Sequence, residues 1–126
     1  MAKRFSLRFI VLFGSAARGK MHEESDIDVG VLTDHPMTSS NRLKLWYELS
    51  ILFQADIDLA VLNHPNPLFG FRVANEAKIL FEKEPRVWEN WKSYAVRHYW
   101  DTAKFRQDLQ ERLSERVKRV RHALSG

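Results

Sequence analysis

Residues 11–32 read VLFGSAARGKMHEESDIDVGVL. Two apolar runs, Val11–Phe13 and Val29–Leu32, each read as part of a buried strand. Between them stand Gly14 and Ser15, the bases Arg18 and Lys20, the acids Glu23 and Glu24, and then Asp26-Ile27-Asp28. Carboxylates two residues apart on a strand project to one face, because side chains alternate along it. Side by side without a cation they repel, and one of them titrates high. A Mg²⁺ ion takes hard oxygen ligands, usually one or two carboxylates plus substrate phosphates and water, and turns that repulsion into a site. Upstream, Gly14 closes a strand and lets backbone approach a phosphate, while Ser15 offers a hydroxyl and an amide at the start of a short helix. Arg18 and Lys20 add charge-assisted donors to the same pocket.

Residues 56–62, DIDLAVL, repeat the pattern of Asp-x-Asp running into apolar residues. A third carboxylate on a neighbouring strand would complete a two-metal site that clamps the attacking and leaving oxygens of an in-line phosphoryl displacement. Asp58 or Asp56 can supply it. Asp-x-Asp alone also reads as a solvated strand start, and a lone Gly-Ser carries little. A strand, Gly-Ser, ten intervening residues, Asp-x-Asp opening a second strand and a further strand with a matching Asp form a far more restrictive set.

Around these motifs the chain alternates strand and helix. RFIVLF (8–13) predicts a central strand and DIDVGVL (26–32) a second. TDHPMTSSN is a loop in which Ser39, Ser40 or Asn41 can cap the next helix. In RLKLWYELSILF (42–53), Leu45, Leu49, Leu52 and Phe53 recur at helical spacing and predict a core stripe. NHPNP is a loop holding two of the four prolines. PLFGFRVANEAKILFEKE predicts a helix ending in a short apolar piece, Ile79–Phe81, and residues 87–123 one or two long amphipathic helices. The order predicts an α/β (α+β) fold: a small three-stranded mixed sheet packed by helices. The core is expected in residues 1–85, and a C-terminal helical extension, 86–126, packs on the core or on a partner.

A chain of 126 residues, 44% apolar and 12% aromatic, suits one compact domain. The absence of cysteine excludes disulfides and thiolate chemistry. The start, MAKRFSLRFIVLF, runs straight into GSAARG and reads as a strand, not a signal peptide. No run approaches the roughly 18 apolar residues that span a bilayer, so a soluble cytoplasmic protein without membrane contact is expected. The net charge of +4 is concentrated towards residues 101–126 and favours nucleotides, nucleic acid or an acidic protein, or else marks a solvated helix face. Trp88, Trp91, Tyr94, Tyr99 and Trp100 interleave with Lys92, Arg97, His98 and Lys104, as on a nucleic-acid surface. The helical spacing of Trp88 and Trp91, and of Leu109, Leu113, Val117 and Val120, favours core and partner-helix packing over direct nucleic-acid binding. The five histidines show no ligand spacing.

FGSAARGKMHEESDIDVGVL resembles the signature of the nucleotidyltransferase superfamily related to DNA polymerase β, in its minimal (MNT-type) branch. Gly14, Ser15, Ala17, Arg18, Gly19, Ser25, Asp26 and Asp28 match it. DIDLAVLN is similar to the family's third-Asp strand and EAKILFEKE to its short closing strand, so the likeness covers roughly residues 9–84. The resemblance implies that Asp26 and Asp28 bind Mg²⁺ and that a third Asp completes the catalytic and metal site. Leu59, Val61 and Leu62 following it favour Asp58 for that role. It further implies that Gly14 and Ser15, with Arg18 and Ser25, bind the nucleotide. The donor would be ATP, with pyrophosphate leaving. A chain of this size resembles the antitoxin of MNT/HEPN pairs, which places AMP on a hydroxyl of a HEPN-type ribonuclease toxin. The alternatives are a small-molecule, aminoglycoside-like nucleotidyltransferase and a non-catalytic antitoxin acting by occlusion. Such proteins usually begin with a helix before the first strand. Only about eight residues precede it here, so the C-terminal helices are expected to cover that side of the sheet.

Overall fold

The computed structural model describes residues 1–17, 19 and 26–126 of the chain, Ala16 through its backbone alone. The elements in order are β1 (Leu7–Phe13), α1 (Gly14–Ala17), β2 (Ile27–Thr33), α2 (Ser39–Phe53), β3 (Ile57–Val61), α3 (Pro67–Glu76), β4 (Lys78–Glu82), α4 (Val87–Asp101) and α5 (Ala103–Ser125). They form the expected mixed sheet packed by helices, but with four strands, ordered β3-β2-β1-β4. β1 runs antiparallel to β2 and β4, and β2 parallel to β3. The strand added to the three read from hydropathy is β4, within the EAKILFEKE stretch that resembles the family's closing strand. Its residues are exposed or half-buried, so hydropathy gives it little signal. What makes it a strand is the open edge of β1, whose backbone donors and acceptors it pairs.

Each face of the sheet carries its own core. On one, Leu45 and Leu49 of α2 pack over Val29, Val31, Ile57 and Leu59. On the other, Val73 and Ala74 of α3 and Trp88 and Trp91 of α4 cover Phe9, Val11 and Phe13. Phe9 meets the edges of both Trp88 and Trp91, with ring centroids 5.2 and 5.7 Å apart, an arrangement aromatic quadrupoles favour. The Trp91 indole also donates to the Leu62 carbonyl at 2.9 Å. β1 serves both faces by alternation, Phe9, Val11 and Phe13 entering one core and Ile10 the other. The shift of its register with β2 between Leu7 and Phe9 breaks that two-residue period and puts Leu7 in the core opposite Phe9.

Three expectations about the helices change. The cap of α2 is Thr38, whose side chain accepts from the Asn41 amide at 3.1 Å, instead of Ser39, Ser40 or Asn41. Leu52 is 68% exposed, because α2 rests on the sheet through the narrower stripe of Leu45 and Leu49. Of the C-terminal helices only α4 covers the sheet, through Val87, Trp88, Trp91 and Ala95. α5 buries no residue, so Leu109, Leu113, Val117 and Val120 are not core residues.

Candidate active site

The three strand ends that carry the sequence motifs lie side by side. β1 leaves the sheet at Phe13, which is paired with Asp28 at the start of β2, and Asp28 is paired in turn with Asp58 at the start of β3. An antiparallel step followed by a parallel one therefore brings Gly14, Asp28 and Asp58, far apart in sequence, to one edge of the sheet.

Gly14 is held there by two constraints. Its φ of +66° lies in the left-handed region, which side chains with a Cβ rarely adopt. A Cβ on it would also overlap the Asp28 carboxylate. The backbone after β1 thus lies directly against the first carboxylate of the site. Ser15 follows on α1, half-buried. Arg18 and Ser25, which the motif assigns to the nucleotide, lie outside the described residues.

Asp28 is half-buried among groups that disfavour its charge. Burial is the largest cause lifting its carboxyl above the ordinary carboxylate range, followed by the negative charge of neighbouring Asp58; Arg72 opposes the rise and Asp26 adds a smaller push. Asp26, exposed, stands just before β2, and Asp58 is exposed on β3. Asp56, the alternative third carboxylate, precedes β3, and its backbone carbonyl accepts from the Ile27 amide at 2.9 Å. The register sets Asp58, not Asp56, against Asp28. Among the described residues, no group of three or more His, Cys, Asp or Glu is assembled to hold a metal ion. What the chain presents is one close pair, Asp28 and Asp58, with Asp26 at the rim.

Arg72 was not singled out in the sequence. It is the one base in α3, PLFGFRVANE, and adjoins the buried Val73. It reaches Glu76 at 3.6 Å while its charge also favours ionised Asp28. Its place as the single base of α3 is legible in the chain, but its convergence on β2 depends on how α3 packs.

Beyond Asp58 the free edge of β3 opens into a pocket of about 460 Å³, lined by Ser39, Arg42, Leu43, Trp46, Ile57, Asp58 and Leu59. Along that edge the Trp46 indole donates to the Ile57 carbonyl at 2.8 Å and the Arg42 guanidinium to the Leu59 carbonyl at 2.9 Å. Two acceptors that could have paired with an added strand are thereby occupied. The line across the sheet edge is then Gly14, Asp28, Asp58 and pocket.

No helix among the described residues is long and apolar enough to cross a membrane. The chain is 32% identical over 75 residues to a protein adenylyltransferase, MntA, of Shewanella oneidensis; the match takes in 60% of this chain and 54%, about half, of that relative. Its fold is similar to a chain of a toxin–antitoxin crystal structure with AMP-PNP (TM-score 0.78, 24% identity, 90% of this chain and 92% of that one). It is also similar to a chain of a structure of a tri-AMPylated Shewanella oneidensis HEPN toxin with MNT antitoxin (TM-score 0.69, 23% identity, 86% and 84% covered). The family described as polymerase beta, nucleotidyltransferase matches residues 1–86, the stretch that builds the sheet and carries Gly14, Asp28 and Asp58, and the chain belongs to that family.

Proposed function

We propose that the chain is a protein adenylyltransferase that moves AMP from ATP onto a hydroxyl side chain of a HEPN-type ribonuclease toxin and so serves as its antitoxin in the cytoplasm. The observation that carries the reading is the contact between Gly14 and Asp28, with Asp28 registered against Asp58. It joins a backbone turn suited to a phosphate with carboxylates suited to a cation. The adenylyltransferase name of the relative and the HEPN toxin beside the similar antitoxin support the acceptor class.

The donor set fits Mg²⁺. The adjacent carboxylates of Asp28 and Asp58 supply hard oxygens, and Mg²⁺ sites draw their remaining ligands from phosphates and water. Asp26, Asp28 and Asp58 would hold the ion, which when bound supplies neutralisation of charge on the carboxylates and phosphates. The chain's own groups do the positioning. The Gly14 backbone and the Ser15 hydroxyl orient the triphosphate, with Arg18 and Ser25 assigned to it by the motif. Arg72 offsets negative charge at Asp28. Asp58, at the mouth of the edge pocket, takes the proton of the acceptor hydroxyl. The acceptor oxygen bonds to the α-phosphorus as the α–β phosphoanhydride bond breaks, and pyrophosphate leaves. Catalysis of this kind is mostly positioning and charge stabilisation.

Intact mass spectrometry of a HEPN toxin incubated with the chain, ATP and Mg²⁺ tests the reading: whole AMP groups should be added, and Asp26→Asn with Asp28→Asn should abolish the addition. Toxin still neutralised by that double variant without added AMP would establish occlusion instead, and AMP found on an aminoglycoside but not on the toxin a small-molecule transferase. By calorimetry, Gly14→Val should block ATP binding, and Ser15→Ala should weaken it by about 1–2 kcal/mol.

A further inference from the structure

The geometry points to Arg72 of α3 as a ligand of the β- and γ-phosphates that neutralises the charge pyrophosphate gathers as it leaves. The inference rests on the adenylyl-transfer reading and names a further catalytic residue for it. α3 reaches the active edge through Phe69, whose ring meets that of Phe13 edge-on with centroids 5.6 Å apart. Phe13 is the last residue of β1, paired with Asp28 and followed by Gly14. Residues three and four apart on a helix share a face, so Arg72 stands one turn beyond Phe69, beside the buried Val73 and Ala74. Its charge is felt at Asp28, as expected of a cation over the same strand ends.

Direction across the sheet selects the phosphates. The strands run β3-β2-β1-β4, with Asp58 on β3, Asp28 on β2 and Gly14 directly after β1. In an in-line displacement the attacking and leaving oxygens lie on opposite sides of the phosphorus. The acceptor enters beside Asp58 and the edge pocket, which leaves the Gly14 side, where α3 packs, for pyrophosphate. As the acceptor oxygen bonds to the α-phosphorus and its proton passes to Asp58, the bond to the α–β bridging oxygen breaks. That oxygen keeps the electron pair, so negative charge grows on the departing group. A guanidinium presents its donors in a planar fork that matches two phosphate oxygens at once. The tie of Arg72 to Glu76 is weak: the Arg72 side chain is 56% exposed, and its Nε lies 3.6 Å from Glu76 Oε2, beyond hydrogen-bond length. Base before acid is also the weaker order for a helical pair. With the carboxylates neutralised by a cation, the pull of Asp28 on Arg72 is lost, and the phosphates supply the negative charge on that side.

Calorimetry on the full chain with Mg²⁺ tests the assignment, with ATP and AMP titrated into wild type, Arg72→Gln, Arg72→Lys and Gly14→Val. Arg72→Gln should weaken ATP binding by about tenfold or more, the strength of a charge-assisted hydrogen bond, and leave AMP, which lacks both outer phosphates, unchanged. Arg72→Lys should recover part of the loss, because it keeps the charge without the fork. The melting midpoint of both should stay that of wild type, since the side chain is exposed. With a HEPN toxin as acceptor, the rate of AMP addition at saturating ATP should fall by about a hundredfold in Arg72→Gln, because the charge it meets is greatest in the transition state. Arg72→Gln binding ATP as wild type does, while Gly14→Val blocks it, overturns the assignment and leaves adenylyl transfer standing. So does an equal loss for AMP, or an unchanged rate at saturation. A wild-type chain that binds no ATP removes the transfer reading, and the role of Arg72 with it.

Discussion

Strand β2 and helix α5 draw on the same apolar residue types, yet every residue of β2 except Asp28 is buried and none of α5 is. In β2 the apolar side chains meet α2 on one face and the α3 and α4 side on the other. The single half-buried position is therefore a charged group held where burial opposes its charge. In α5 the polar residues are solvated, and the apolar stripe is the group out of place. A strand between two helical layers places a chemical group by excluding water around it, whereas α5, packed on nothing along its apolar face, leaves that face exposed.

The contrast can be pressed hardest at Trp91. Trp91→Ala removes a buried indole that packs on Phe9 and Trp88 and satisfies the Leu62 carbonyl. Chemical denaturation should show a loss of about 3–5 kcal/mol. A loss below 1 kcal/mol would mean that α4 is as loosely attached as α5. Gly30→Ala comes next. A Cβ there would stand 2.7 Å from Leu62 Cδ1 and 3.2 Å from Val11 Cγ2, so overpacking by about 1–3 kcal/mol is expected in the same assay.

Asp28→Asn should act in the opposite direction. The folded-state pKa of Asp28 lies above its ordinary value of 3.8, so between those two values the native state binds more protons than the unfolded state. Stability of the metal-free protein therefore falls as pH rises through that window and stays reduced above it. In chelator, thermal melts should show Asn raising the midpoint at neutral pH, with the gain vanishing in acid. A gain that persists in acid would assign the effect to packing instead of charge. The smallest effect belongs to α5. Leu113→Ala should change unfolding free energy by no more than about 0.5 kcal/mol, and a larger change would give that helix a place in the core.

Much of the site's cast was legible in the linear chain. The turn after β1 calls for a glycine, and Asp-x-Asp at the mouth of β2 announces carboxylates sharing a face, because both depend on residues a few positions apart. Leu45 and Leu49 were readable for the same reason, as neighbours on one helical stripe. Phe53, at the same spacing, packs against that core half-buried, whereas Leu52 is left exposed, because the width of the stripe that α2 buries depends on the shape of the sheet beneath it. Arg72 escaped notice because it reaches Asp28 only through the docking of α3.

Local order determined what each element is: the apolar strands, the Gly14 turn, the paired acids and the amphipathic helices α2 and α5. Tertiary structure alone decided what each element meets. Pairing with the open edge of β1 gave Lys78–Glu82 its place in the sheet, and a bulge beyond Leu7 put that residue in the core opposite Phe9. Parallel register set Asp58, the residue its own strand sequence favours, directly against Asp28. Periodicity along a chain reports which side chains share a face, whereas burial, register and the proton affinity of a carboxylate come from contacts between residues far apart in sequence, which exist only once the sheet has closed.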